Sequence, residues 1–284
     1  MTRIADLLAD HPTLSFELFP PRTDEAERIL EKSLPALAEL APDFMSVTYG
    51  AGGSTRERTR DIVVRINAEQ PFPAMPHLTC VAHSRAEVEA LLDDYAANGI
   101  ENILALGGDL PADGSAPTGE FTYADELVDL VRARGTFSIG VAAHPEVHPR
   151  SPDRESDRRH LADKLERADF AMTNFFFDVD DYVRLVDELD ALGCRKPVVP
   201  GVLPVTNVAG LRRMSAMNGS AIPAALSERL DAVEGDADAV REVGIETAVA
   251  LGRRLLDAGA PGLHLYSMNR AESVARVAAE LGLR

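Results

Sequence analysis

The chain has 284 residues and a formal net charge of −17, with a sequence pI near 4.8. Such a negative charge disfavours nucleic acid and anionic membrane surfaces as partners, while 45% apolar residues are enough for a sizeable core. The two cysteines, Cys80 and Cys194, indicate neither a disulfide framework nor a thiolate zinc site, and we expect a cytoplasmic protein without a membrane span.

Eight short apolar runs predict β-strands, and helical patterns separate them from one end of the chain to the other. The predicted strands are residues 14–19, 44–49, 76–81, 102–106, 137–143, 170–177, 197–203 and 262–267. Repeated βα units without a break in composition favour a (β/α)8 TIM barrel that forms one α/β domain over residues 1–284. An open doubly wound sheet is the alternative.

Two of the predicted helices have clear boundaries. Ser84 and Glu87 match a capping box, and Gly99 can end the helix that they start. In the sixth helical segment, Asp178 is the predicted N-cap and Gly193 the stop. The stripes expected to face the core are Val88, Leu91, Leu92 and Tyr95 in the first helix and Val183, Val186 and Leu189 in the second.

The segment between the last two predicted strands, residues 204–261, is much longer than the other connections. It has room for two or three helices. We therefore expect an extra helix there, ahead of a long helix at about 236–258.

Unusual polar residues stand at the carboxyl ends of the predicted strands, where barrels of this type place their active sites. They are Glu17, Thr48, Tyr49, Asp109, His144, His148, Asn174, Tyr266 and Arg270. Their convergence on one face of the barrel predicts a functional site at that end.

Glu17 is an ionisable residue inside an apolar strand, in the sequence SFELFPPR. Desolvation among Phe16, Leu18 and Phe19 would raise the pKa of its carboxyl group, so that it stays protonated near neutral pH, as a general acid must. A structural ion pair with an arginine is the alternative, and the residues alone leave both interpretations open.

Two other patterns are weaker. His144 and His148 have the i, i+4 spacing of a helical metal pair, but Pro145 and Pro149 exclude a regular helix, so we expect no metal. The segment GAGGST, residues 50–55, lacks the last glycine of a dinucleotide fingerprint and the acidic residue that should follow it. A Rossmann-type site is therefore not expected.

Eight segments taken in order carry a family resemblance over nearly the whole chain. They are FELFPPR, SVTYGAGGSTRERT, HLTC, GGDLP, HPEVHP, FFFD, PGVLPVTN and YSMNR, and together they resemble the methylenetetrahydrofolate reductase family. The resemblance implies a (β/α)8 barrel that reduces 5,10-methylenetetrahydrofolate to 5-methyltetrahydrofolate with a reduced nicotinamide cofactor, usually through bound FAD.

The resemblance also implies roles for residues on the folate side. Glu17 matches the general acid that protonates N10, and Asp109 matches the aspartate that binds the pterin and stabilises the cation formed on it. Arg270 matches the arginine that meets the anionic side of the folate. The remaining substrate-side positions are Asn174, where many members have glutamine, Tyr266, expected to wall the pocket, and Gly210 and Met214, which replace the usual glutamine and phenylalanine.

The same resemblance assigns a cofactor side to Thr48, His77, Gly107, Gly108, His144, His148, Asp157 and Lys164. Two of these depart from the family pattern. Gly107 stands where many members have an arginine that contacts FAD, and His144 where they have a tyrosine. Because a cationic partner and an aromatic surface are lost, we expect direct hydride transfer from NADH or NADPH without FAD, as in the flavin-independent actinobacterial type. Transfer through bound FAD is the alternative.

Two further function classes are considered. A barrel lyase would need a Schiff-base lysine at a strand end, and Lys32, Lys164 and Lys196 all lie elsewhere in the predicted pattern. A non-catalytic barrel that binds folate would have no need of a protonated acid at Glu17. The sequence leaves open the choice between NADH and NADPH and between a monomer and a homo-oligomer.

Overall fold

The computed structural model describes residues 2–50, 55–81, 83–108, 119–135 and 137–283. Its centre is a closed barrel of eight parallel strands in sequence order, in which the last strand also pairs with the first. The strands are β1 (Thr13–Leu18), β2 (Phe44–Val47), β3 (Ala74–Thr79), β4 (Asn102–Leu106), β5 (Ser138–Ala143), β6 (Phe170–Phe175), β7 (Val198–Val202) and β8 (Gly262–Tyr266). The predicted TIM barrel is confirmed, and the open sheet is wrong.

Helices surround the barrel. They are α1 (Ile4–Asp10), α2 (Asp24–Ala38), α3 (Arg56–Glu69), α4 (Arg85–Ala97), α5 (Ala124–Arg134), α6 (Arg154–Arg167), α7 (Val179–Ala191), α8 (Val208–Asn218), α9 (Ala224–Asp231), α10 (Ala237–Asp257) and α11 (Ala271–Glu280). Between β7 and β8, two short helices, α8 and α9, precede the long α10. The expected insertion is therefore present, with one helix more than predicted.

The capping box of α4 is present, with Glu87 N–H donating to Ser84 Oγ and the Glu87 carboxylate accepting from Ser84 N–H. Gly99 adopts the left-handed conformation that ends the helix, with φ 71°. The predicted stripe Val88, Leu91, Leu92 and Tyr95 is buried. Local capping and periodicity were sufficient to predict this helix.

The predicted stripe of α7 is wrong at two of its three positions. Val183 and Val186 are each 37% exposed, whereas the buried face consists of Val179, Tyr182, Leu185 and Leu189. This face starts at the first residue of the helix and lies beside the predicted one. Tyr182 decides the orientation, because its ring is buried and its hydroxyl donates to Val198 O at 2.9 Å.

Helix α1, which the sequence analysis did not predict, closes the amino end of the barrel. Ile4 N–H donates to Asn102 Oδ1 at 2.7 Å, and Ala5 N–H donates to Ser138 Oγ at 3.1 Å. Asn102 and Ser138 are the first residues of β4 and β5. The apolar residues packed between α1 and the barrel interior are Ile4, Leu8, Phe44, Met75, Leu104, Phe170, Met172 and Val199. Helix α1 and these apolar side chains therefore fill the amino end of the barrel.

Strand β1 shows which side chains the interior receives. Leu14, Phe16 and Leu18 belong to the main core that includes residues of the surrounding helices. Because successive side chains of a strand point to opposite faces, Ser15 and Glu17 point into the barrel. The fold thus turns Glu17 away from Phe16 and Leu18, the neighbours that the sequence analysis gave it.

Among the described residues, no helix has both the length and the apolar character to cross a bilayer.

Gly244→Ala should destabilise the fold. A β-carbon at position 244 would lie 1.9 Å from the carbonyl oxygen of Val205, so α10 approaches the segment after β7 more closely than alanine permits. Forcing the two apart should lower the free energy of unfolding by at least about 2 kcal/mol. Urea denaturation followed by circular dichroism measures the change. Gly235→Ala is the matched control, because a β-carbon there meets nothing within 4 Å. Equal stability of the two variants would contradict the close approach.

Candidate active site

Glu17 lies inside the barrel near its carboxyl end, in register with Ser46 of β2 and Tyr266 of β8. The residue is only 6% exposed. Its Oε2 lies 3.6 Å from His77 Nε2 and 3.7 Å from His264 Nε2. Among the described residues, no arginine or lysine nitrogen comes within 4.0 Å of this carboxylate. The ion pair with an arginine, the alternative left open by the sequence, is therefore not seen.

Burial raises the pKa of Glu17 from its usual 4.5 to about 7, and the nearby His77 opposes the rise. The upward shift of the Glu17 pKa agrees with the expectation from the sequence, but the groups that bury the carboxyl group are different. Position inside the closed barrel removes the carboxyl group from water, rather than contact with Phe16 and Leu18. At neutral pH a large fraction of Glu17 holds a proton, as a proton donor requires.

His264 lies beneath Glu17 and was not singled out from the sequence. Its Nδ1 is 2.8 Å from Ser15 Oγ, its Nε2 is 3.3 Å from Ser46 Oγ, and its ring stacks on Phe44. Burial lowers the pKa of His264 to about 3, so the ring is neutral. The sequence shows a histidine within the predicted eighth strand, but only the pairing of β8 with β1 shows that its side chain points into the barrel.

His77, assigned to the cofactor side by resemblance, is the second histidine beside Glu17. It is 6% exposed, and burial lowers its pKa to about 4. Its Nε2 is buried and has no hydrogen-bond partner among the described residues. Because both histidines are neutral, neither supplies the permanent positive charge that would hold Glu17 ionised.

Tyr266 covers one side of the mouth between β7 and β8. Its hydroxyl donates to Thr173 O at 3.2 Å, and its ring meets Phe175 and His264 edge to face. A β-carbon at Gly201 would lie 2.8 Å from this ring, so the glycine provides the space for it. Tyr266 and the half-buried Met214 of α8 both pack against the apolar cluster under the loops after β6 and β7. Tyr266 thus lies at the carboxyl end of β8, and its role as a pocket wall stays a prediction.

The turn after β8 is fastened to the turn after β1. Ser267 Oγ donates to Glu17 O at 2.5 Å, while the Asn269 amide accepts from Phe19 N–H and donates to Phe19 O. Met268 and Asn269 have φ angles of 51° and 55°, which non-glycine residues rarely adopt. Such strain persists because the hydrogen bonds hold it, and the exposed Arg270 follows directly at the start of α11.

The segment after β5 forms a second group of polar residues. The rings of His144 and His148 meet edge to face with centroids 4.5 Å apart, and Asn174 Nδ2 lies 2.7 Å from His144 Nε2. Burial lowers the pKa of His144 to about 3, so its neutral ring can accept this hydrogen bond. Asn174, expected to bind the substrate, therefore joins the predicted substrate side to the predicted cofactor side. Among the described residues, no cluster of three or more metal-binding side chains occurs.

Arg158 of α6 positions this segment and was missed in the sequence. It is 2% exposed, and its guanidinium donates to the carbonyls of His144, Pro145 and Glu146 and pairs with Glu188. Nothing in its local sequence distinguished it from the other arginines of the same helix, which are half-buried or exposed. Its role follows only from the packing of α6 against the loop.

Other residues of the predicted cofactor side surround this group. Asp157 accepts from His148 N–H at 3.2 Å and from Ser151 Oγ at 2.9 Å, so it supports the loop. Lys164, on the same helix, is half-buried, and burial lowers its pKa. Thr48 follows β2 and is half-buried.

The remaining predicted positions follow β4. Gly107 comes directly after the strand, and the side chain of Arg150 lies beside its α-carbon. Gly108 has φ 90°, and a β-carbon there would meet Thr79 and Val81 at 3.1 Å. Asp109 lies outside the described residues, so its predicted role stays a prediction.

Glu17→Gln should stabilise the fold at pH 8 and change it little at pH 5. The folded chain keeps the Glu17 proton up to about pH 7, whereas the unfolded chain releases it near 4.5. Between these values the folded state binds more protons, so stability falls as the pH rises. Removing the titration should therefore raise the free energy of unfolding at pH 8, by on the order of 3 kcal/mol at most.

Urea unfolding of both proteins at pH 5 and pH 8 measures this difference. Glu57→Gln, at an exposed position of α3, is the control and should show no such pH dependence. A change of the same size at both pH values in Glu17→Gln would mean that the carboxyl group is ionised in the folded state throughout.

Comparison with known proteins identifies the family of the chain. The family model for methylenetetrahydrofolate reductase matches residues 1–282. A 5,10-methylenetetrahydrofolate reductase of Pectobacterium carotovorum subsp. carotovorum is 39% identical over 272 residues, covering 95% of this chain and 90% of the relative. Methylenetetrahydrofolate reductase (NADH) 1 of Arabidopsis thaliana is 33% identical over 284 residues, covering 95% of this chain and 48% of the plant protein.

Among solved structures, an uncharacterised protein from Clostridium thermocellum superimposes with a TM-score of 0.68 and covers 99% of both chains. That protein binds two copies of 5-methyl-5,6,7,8-tetrahydrofolic acid, but at 14% identity the likeness concerns the fold alone. Together, the match to the family model and the identity to curated relatives show that this chain belongs to the methylenetetrahydrofolate reductase family.

Proposed function

We propose that the chain reduces 5,10-methylenetetrahydrofolate to 5-methyltetrahydrofolate, with hydride supplied directly by NADH. The observation that carries the proposal is Glu17, a buried carboxyl group with a pKa near 7 toward the end of the barrel opposite to the one that α1 covers. Membership in the reductase family supports the reaction, and the Arabidopsis relative is an enzyme named for NADH.

The reaction needs a proton before it needs a hydride. In the substrate, one methylene carbon bridges N5 and N10, and hydride can attack that carbon only after the bridge opens to an N5 iminium. Opening requires a proton on N10, and Glu17 donates it from the protonated form that burial favours. Transfer of a hydride to the iminium carbon then leaves a methyl group on N5 and a proton on N10, and NADH becomes NAD⁺.

The two neutral histidines make Glu17 a suitable acid. A cation at the same distance would stabilise the carboxylate and lower its pKa, so the group would hold no proton to give at neutral pH. His77 and His264, with pKa values of about 4 and about 3, remain uncharged at neutral pH. His264 is fixed by Ser15 and Ser46, so the floor below Glu17 is rigid.

Further roles on the folate side rest on the family resemblance. Asp109 would bind the pterin and stabilise the positive charge of the iminium, and Arg270 would meet the glutamate part of the folate. Arg270 is exposed at the rim, and among the described residues no carboxylate lies within 4.0 Å of it. A free guanidinium at the rim suits an anionic substrate group.

One departure from the family pattern argues against a bound flavin. His144 stands where a stacking aromatic residue is usual in the family, and its Nε2 is committed to the Asn174 amide. A dihydronicotinamide, which supplies a hydride when bound, offers a smaller ring and needs less stacking surface. Hydride transfer would require the donor carbon and the acceptor carbon to approach within about 3–3.5 Å. This supports a donor bound directly beside the folate.

Glu17→Gln should lower kcat by about 10²–10⁴-fold, because the amide cannot donate the proton to N10. The wild-type rate should fall about tenfold per pH unit above a pH of about 7, since only the protonated carboxyl group is active. Steady-state rates between pH 6 and pH 9 measure both effects. Folate affinity should survive in the variant, and Glu57→Gln should behave as the wild type. Unchanged turnover of Glu17→Gln would remove Glu17 from the mechanism.

The purified protein should be colourless and should turn over with NADH alone. Its absorbance spectrum and its rate with and without added FAD measure the flavin requirement, and NADPH in place of NADH measures the donor preference. Stoichiometric flavin in the purified protein, or a rate that depends on added FAD, would overturn direct transfer and favour the flavin-mediated reaction.

A further inference from the structure

The space beside Gly107 is occupied by an arginine from another loop. A β-carbon at position 107 would lie 3.5 Å from a terminal guanidinium nitrogen of Arg150, and outside residues 106–108 no other described atom comes within 4 Å of that point. Gly107 follows β4 and Arg150 follows β5, so the two meet at the carboxyl end of the barrel. The positive charge that the sequence appeared to lack at this place is thus supplied by the next loop.

The backbone on both sides of this contact is fixed. Gly107 O accepts from Cys80 Sγ at 3.1 Å and from Val81 N–H at 3.3 Å. Arg150 N–H donates to His148 Nδ1 at 3.0 Å, and Ser151 N–H donates to His148 O at 2.8 Å. The guanidinium is therefore presented from a segment that Asp157 and Arg158 also hold in place.

Arg150 differs from its neighbouring arginines in its charge environment. Arg154 and Arg158 pair with Glu188, and Arg159 pairs with Glu155. Among the described residues, no carboxylate lies within 4.0 Å of Arg150. In a chain with 46 acidic and 29 basic residues, an arginine at the barrel mouth without a carboxylate partner is free for an anion from outside.

A second positive group lies in the same region. Burial lowers the pKa of His148, the nearby charges of Arg150 and Lys164 lower it further, and the charge of Asp157 opposes them. Lys164 is half-buried, and no described carboxylate lies within 4.0 Å of it. Asp157 and Asp125 are the acidic groups that act on Lys164 from a greater distance. Two cations near the half-buried His148 suit a multiply charged anion better than a single carboxylate.

We propose that Arg150 binds the diphosphate of the dinucleotide that occupies the mouth of this barrel, from the space beside Gly107. The inference rests on the proposed function, which requires a dinucleotide hydride donor there. A guanidinium presents paired N–H groups that match phosphate oxygens. The backbone of Arg150 is held by its hydrogen bond to His148, while its guanidinium forms no ion pair with a described carboxylate. The diphosphate is common to NADH and FAD, and the experiment separates the two.

Arg150→Ala should weaken NADH binding about 10-fold or more while leaving the affinity for the folate substrate unchanged. The dissociation constant is measured by titration calorimetry of the full-length protein with NADH, FAD, ADP-ribose and adenosine. Affinity for the diphosphate compounds should fall and that for adenosine should not. The effect should shrink as the salt concentration rises, because an exposed contact between charges is screened.

Two variants control for structure. Arg159→Ala removes an exposed arginine of α6 and should leave all four affinities unchanged. Arg150→Ala combined with Gly107→Arg should recover much of the NADH affinity, because Gly107 lies outside the left-handed region and the removed arginine leaves space for a new side chain. Thermal melts of each variant check folding.

The outcomes are distinct. Unchanged binding of both NADH and FAD in Arg150→Ala would overturn the inference, as would an equal loss for adenosine without recovery in the double variant. A loss for either dinucleotide, with adenosine unaffected, supports it and identifies the bound species. Wild-type turnover in the same preparation tests the proposed function separately, since intact turnover with unchanged affinities would refute only the phosphate contact.

Discussion

The site depends on one constraint, the enclosure of an ionisable group in a barrel without a permanent counter-charge beside it. Glu17 sits on the inner face of β1, and among the described residues the basic groups within 4.0 Å of its carboxylate are two histidines that burial keeps neutral. A lysine or arginine in either place would turn the acid into half of an ion pair. The strand register that brings His77 and His264 close to Glu17 inside the barrel is therefore as much a part of the chemistry as Glu17 itself.

Much of the fold could be predicted from the sequence because short-range residue patterns determine its strands and helices. All eight strands and the capping box at Ser84 follow from short-range signals, and βα alternation then leaves few architectures to choose from. The errors have equally local causes. In α7 the choice between neighbouring apolar faces depended on Tyr182 and its contact with Val198, which no periodicity reveals. Helix α1 was missed because its contacts are with β4 and β5, about a hundred residues away in the chain.

For the site, residue type and strand position were sufficient to single out Glu17, Asn174 and Tyr266 but not to give their neighbours. His264 became visible only when β8 paired with β1, and Arg158 only when α6 packed on the loop after β5. The position of Gly107 is the clearest case. The sequence shows a missing side chain, and only the fold shows that Arg150 lies in the space it leaves.

Helix α1 covers the amino end of the barrel, so a ligand that reaches Glu17 would come from the carboxyl end. If the folate and the hydride donor of the proposed reaction both enter from that end, the one that binds deeper has to arrive first and leave last. The order of arrival would then be dictated by depth rather than by relative affinity. A helix of seven residues at the end of the barrel opposite to Glu17 would thus determine the order in which the reactants bind and leave.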